Sequence, residues 1–151
     1  MRRLNLVVAG AIVLAGIALL PIWRPIEPGL DAPAGVVGIA PPGITTALRE
    51  TAVASDRLFN PQPWGSWFEF ALPDLPVAID SRIELFPAAT WDAYENVVAG
   101  GDGWAKQLAD WGVTMIVVEA GETKMADRLA AAGWRSVHTD ADGSIFVSPD
   151  R

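Results

Sequence analysis

The chain begins with an unbroken run of apolar and small residues, Leu6–Leu20, and then changes to short apolar stretches punctuated by polar, Gly and Pro residues. As a helix, Leu4–Trp23 would extend roughly 30 Å, the thickness of a bilayer's hydrocarbon core, so residues 1–24 are predicted to be a transmembrane helix. Pro, Gly and Ala dominate from Pro21 to Pro42, which reads as a linker over residues 25–44 with Val36–Ile39 as its one strand candidate. A helix is predicted from Thr45 to about Ser55, then a short strand, Arg57–Asn60, closed by Pro61. In Trp64–Leu72, Trp64, Trp67, Phe68 and Ala71 recur at helical spacing. Pro76–Asp80 is almost wholly apolar and reads as a strand buried on both faces of a parallel sheet. Helices follow at Ala89–Val98 and Gly103–Trp111. Val113–Glu119 is the strongest strand, and a helix over Thr123–Ala132 stops at Gly133. Trp134–Thr139 and Ser144–Ser148 predict a hairpin around Asp140-Ala141-Asp142-Gly143. Together these elements predict a small three-layer α/β domain over residues 45–151, with a mostly parallel sheet and a C-terminal hairpin.

Composition narrows the function classes. Of 151 residues, roughly 120 remain beyond the apolar start, enough for one buried core. The net charge is −7, and seventeen of the eighteen acidic residues lie after residue 30 against eight of the eleven basic ones. Phosphate neutralisation needs a cationic face, so a nucleic-acid partner is not expected. Without cysteine and with His138 as the single histidine, no disulfide, Cys/His zinc site or cofactor is expected. Arg2 and Arg3 precede the apolar run, which places the N-terminus in the cytoplasm and the main domain outside it. A cleavable signal peptide is the competing reading, with Ala32-Pro33-Ala34 a distant small-x-small site. Gly10, Ala11, Ala15 and Gly16 would let other helices approach closely, so the expected partners are the lipid bilayer and other transmembrane helices.

The chemistry-bearing residues gather at predicted strand ends. Asn60 and Asp80 close two successive strands joined by a helix, the edge of an open α/β sheet where ligands bind. Arg82 could grip an anionic group in bidentate fashion, and Trp64 could offer an aromatic face to a sugar or lipid headgroup. The same residues fit a purely architectural arrangement, with Asp80 paired to Arg82 and Asn60 capping the turn before Trp64. Other motifs fall short. Gly100-Gly101-Asp102-Gly103 lacks the spacing of a phosphate-binding loop and reads as a helix-to-helix turn. Asp140-x-Asp142-Gly143 lacks the distal glutamate of a calcium loop. Gly65-Ser66-Trp67 is not a nucleophile elbow.

Within residues 58–87, Phe59-Asn60, Trp64-Gly65 and Ile79-Asp80-x-Arg82, followed by Glu84-Leu85, form a pattern that resembles a known bacterial domain. It resembles the extracytoplasmic C-terminal domain that follows the last membrane helix in glycosyltransferase-like and uncharacterised polytopic integral membrane proteins, over residues from about 20 to 148. The resemblance implies an accessory domain, non-catalytic by itself, because the family's catalytic acids lie in an early external loop without counterpart here. It also implies contact with a glycan or lipid-linked sugar through Asn60, Trp64, Asp80 and Arg82. The alternatives are a free-standing, single-pass ligand-binding module and a small secreted hydrolase using one of the carboxylates.

Overall fold

The computed structural model describes residues 2–27, 30, 32–35 and 37–151. It divides into two compact units, Met1–Gly38 and Ile39–Arg151. The described residues form a mixed α/β protein with six α-helices and two sheets.

In the first unit, α1 spans Arg2–Ala18, after which a 3₁₀ turn covers Pro21–Trp23. The helix stops before Leu20 because the residue preceding a proline is sterically driven out of the α region, and Leu20 is extended at φ −61°, ψ 137°. The Trp23 indole N–H closes the turn on the Ile17 carbonyl at 2.7 Å. Two short strands, β1 (Ile26–Glu27) and β2 (Ala32–Pro33), then pair antiparallel, and Arg24 donates to the Ala34 carbonyl at 3.1 Å. The predicted linker thus has structure of its own.

This unit corrects the predicted transmembrane helix. Seventeen residues give α1 a length of roughly 26 Å. No helix among the described residues is long and apolar enough to cross a membrane. The apolar run continues through Trp23, but Pro21 ends it as a helix and two arginines occupy its first turn. The large apolar side chains of α1 are exposed along its length, from 45% at Ile17 to 72% at Leu6. Val36 of the Val36–Ile39 strand candidate lies outside the described residues, and residues 37–39 are bend and turn.

The second unit contains α2 (Pro42–Thr51), β3 (Leu58–Phe59), α3 (Gln62–Ala71), α4 (Ala88–Ala99), α5 (Trp104–Asp110), β4 (Met115–Glu119), α6 (Thr123–Ala131), β5 (Arg135–Thr139) and β6 (Gly143–Val147). Its four strands are ordered β3-β4-β6-β5. Only β3 and β4 run parallel, while β6 pairs antiparallel with both β4 and β5. The expected mostly parallel sheet is therefore corrected to a mixed one. Burial explains the order: Ile145, Phe146 and Val147 of β6 are buried and demand an interior place, whereas β5, Arg-Ser-Val-His-Thr, is polar enough for an edge.

The predicted strand Pro76–Asp80 is reduced to a single parallel bridge between Val77 and Leu58. Pro76 has no N–H to extend a ladder, and the Asn60 side chain takes over further along. Its Oδ1 accepts from the Ala78 N–H at 3.1 Å and its Nδ2 donates to the Ile79 carbonyl at 2.9 Å.

Met115, Ile116, Val117 and Val118 of β4 are all buried, so the sheet is covered on both faces. On one face Ile116 and Val118 pack in a cluster with Val97 of α4, Leu108 of α5 and Leu129 of α6. Outside that cluster, α2 lies against β5 and β6 and is tied to α3 by the Trp67 indole, which donates to the Thr45 hydroxyl at 2.9 Å. Gly100, at φ 69°, ends α4 in the left-handed region that favours glycine. Arg128 reinforces this helix end by donating to the Val98 and Ala99 carbonyls at 2.7 Å each.

Candidate functional site

The sequence places Asn60 just past β3 and Asp80 in the segment after the Val77 bridge, and the structure brings both against α3. Gly65 makes the approach possible. A Cβ built on it would fall 2.0 Å from the Ile79 carbonyl oxygen and 2.6 Å from the Asp80 Cα, so only glycine lets α3 lie directly on this segment. Gln62 and Ser66 complete the join. Gln62 Nε2 donates to the Asp80 carbonyl at 3.4 Å, and the Ser66 and Ser81 hydroxyls share a hydrogen bond of 2.6 Å.

Within this join the four candidate residues are unequally available. Asn60 is wholly buried, and both of its amide atoms are engaged, Nδ2 also donating to the Pro61 carbonyl at 2.9 Å. Asp80 is 2% exposed. Its Oδ1 accepts from the Arg82 N–H at 2.7 Å, and its Oδ2 accepts from Arg82 Nε at 3.0 Å and from Nη2. Arg82 Nη2 turns further to Glu69, 2.8 Å from each carboxylate oxygen. The Arg82 hydrogen bonds hold the Asp80 carboxyl below its usual range against the opposing effect of burial. Arg82 is pushed up in turn, chiefly by its hydrogen bond to Asp80. Trp64 is half-buried and meets Phe68 edge-on at 6.2 Å.

The constellation therefore joins two loops and helix α3 through a polar network in which the Arg82 guanidinium is shared by the Asp80 and Glu69 carboxylates. Of the four candidate residues only Trp64 and Arg82 reach solvent, and Arg82 already has two carboxylates. Among the described residues, no group of three His, Cys, Asp or Glu side chains is gathered to hold a metal.

Sequence reasoning passed over Tyr94, which sits at the centre of this edge. Its hydroxyl donates to the Asn60 carbonyl at 3.1 Å and accepts from the Gln62 N–H at 3.0 Å. Its ring stacks on Phe59 with centroids 5.1 Å apart. Burial pushes its pKa up to about 12. Tyr94 is the only tyrosine in the chain, which was a signal of composition but carried no indication of its partners. A second omission is the C-terminal end of β4, beside β3, where Glu119 and Glu122 flank an apolar cavity.

Comparison with known proteins adds no relative: no family model, no curated protein and no solved structure matches the chain. The expected resemblance of residues 58–87 to the glycosyltransferase-like C-terminal domain gains no support from these comparisons. What that motif does in this fold is now visible: Trp64-Gly65 and Ile79-Asp80-x-Arg82 are the two sides of one helix-on-loop join.

Proposed function

We propose that this chain is an accessory α/β module, non-catalytic by itself, of a larger glycosyltransferase-like assembly, held there by α1 packing against apolar helices of a partner polypeptide. The observation that carries the reading is α1 itself, apolar and exposed along its length. An exposed apolar surface of this extent marks an interaction site, and its apolar residues surround the helix rather than forming one stripe. Gly10 and Gly16 have open space where a Cβ would stand, leaving room for close approach of a second helix.

The proposal includes no membrane-spanning segment of this chain. Location at the outer face of the cell membrane, which the resemblance implies, enters only through the partner. The Asp80–Arg82–Glu69 network supports the non-catalytic part, because its carboxylates and its cation are already committed to one another, and Asn60 is engaged separately by the Ile79 carbonyl. Contact with a glycan would fall to the half-buried Trp64 at the rim of the network.

Affinity recovery of the full chain from its native cells, followed by mass spectrometry, tests the reading. The expected result is co-recovery of a glycosyltransferase-like polypeptide, lost on Leu6→Lys with Leu14→Lys while residues 39–151 remain folded. Recovery of the chain alone from wild-type cells would overturn it.

A further inference from the structure

Strand β3 ends at Phe59 opposite Ile116 while its parallel neighbour β4 continues to Glu119, and at these C-terminal ends lies a half-open cavity of about 160 Å³. This is the position at which open α/β sheets bind ligands. Its walls are apolar, with Phe59, Tyr94, Val98, Val117 and Met125 among them, and its volume is on the order of that which holds a benzene ring in a dry protein cavity. Two of the polar groups at its mouth are carboxylates. Glu119, half-buried at the end of β4, and Glu122, exposed at the start of α6, both line it. Among the described residues, neither carboxylate has a hydrogen bond or an ion pair. The third rim group, Gln62, gives one amide N–H to the Asp80 carbonyl, and its amide oxygen is a further acceptor.

Donors for an anion are few on the same rim. At the start of α3, Pro61 and Pro63 have no N–H, and the Gln62 N–H is taken by the Tyr94 hydroxyl. At the start of α6, the N–H groups of Thr123, Met125 and Ala126 donate to the Gly121 and Glu122 carbonyls. No Lys or Arg lines the cavity. Helix capping does not account for the carboxylates: Glu122 makes no side-chain cap to α6, and Glu119 belongs to a strand.

We infer that this cavity binds a small organic cation, an ammonium group carried on a compact apolar body. The apolar part fills the space between Val98, Val117 and Met125, and the ammonium donates to Glu119, Glu122 and the Gln62 oxygen. This site is independent of α1 and of the assembly proposed above.

The test is an NMR titration of the full isotope-labelled chain in neutral detergent, using benzylamine as probe, with benzyl alcohol and benzoate as isosteric controls. Benzylamine is expected to give saturable shifts centred on Gln62, Tyr94 and residues 117–125. Glu119→Gln combined with Glu122→Gln is expected to weaken it about tenfold, the range for hydrogen bonds to charged groups. Val98→Trp, at a site already 41% exposed, should close the mouth and abolish binding without unfolding the domain. Equal affinity for benzyl alcohol, tighter binding of benzoate, shifts centred elsewhere, or no saturation with benzylamine would each overturn the inference.

Discussion

Strand β4 and helix α1 are both apolar stretches without a charged residue in their middle, but they meet opposite environments. Met115–Val118 are buried on both faces by helices of the same chain, whereas Leu4–Ile17 of α1 are exposed. The hydrophobic pattern shows which segments must be covered; it does not show what covers them. For β4 the cover is encoded nearby, in α4, α5 and α6, whose Val97, Leu108 and Leu129 close on Ile116 and Val118. For α1 the proposed cover is another polypeptide.

The comparison is broken most severely from the β4 side. Ile116→Ala leaves a void in a fully buried cluster and is expected to destabilise the domain by about 2–5 kcal/mol, read as a shift of the chemical-denaturation midpoint. Gly65→Ala should come next, at about 1–3 kcal/mol, because its Cβ meets backbone that cannot swing aside. A crystal structure or NOE pattern showing α3 displaced from residues 79–80 would confirm the cause.

Tyr94→Phe sharpens the account of the strand ends. Loss of the hydroxyl leaves the Gln62 N–H and the Asn60 carbonyl without it, at a cost of about 1–3 kcal/mol. A pH signature accompanies the loss. Because the folded-state pKa is raised from 10.0 to about 12, the stabilising contribution is complete below pH 10 and falls away as pH rises toward the folded value. Tyr94→Phe should flatten that alkaline limb in a stability-versus-pH series. An opposite limb belongs to Asp80, whose lowered pKa contributes stability above the ordinary carboxyl range of 3.8 that is lost as pH falls through the folded value.

The smallest stability effect is expected in α1. Leu14→Glu touches an exposed side chain and should leave the unfolding midpoint of residues 39–151 within about 0.5 kcal/mol of the parent. A large destabilisation there would mean that α1 is part of the domain's own core, and the contrast with β4 would fail.

The order of elements in the second unit was legible because Pro, Gly and apolar periodicity mark their limits. Gly133 and the Asp140–Gly143 turn delimit α6, β5 and β6 as read. Strand order was not read, although the polar β5 and the apolar Ile145, Phe146 and Val147 of β6 differ in their tolerance of an edge, because neither pattern says which strand β4 pairs with. The convergence of Asn60 and Asp80 was anticipated from strand ends. The Asp80–Arg82 pairing was one of the two arrangements those residues allowed; what was not legible is Gly65 admitting a helix to van der Waals distance and Glu69 reaching Arg82 from thirteen residues away. The length of α1 was overread because a composition window carries across Pro21, whereas backbone sterics do not.

The central claim is that α1 is covered by apolar helices of another polypeptide, and site-specific photo-crosslinking from position 14 in native cells tests it most directly. With a photoreactive phenylalanine analogue replacing Leu14, the account predicts an adduct whose partner peptide maps to an apolar helix of a glycosyltransferase-like polypeptide. A control at Glu95 on α4 should give no such adduct. Adducts only with lipid, only with residues 39–151 of the same chain, or with no partner at all would contradict it.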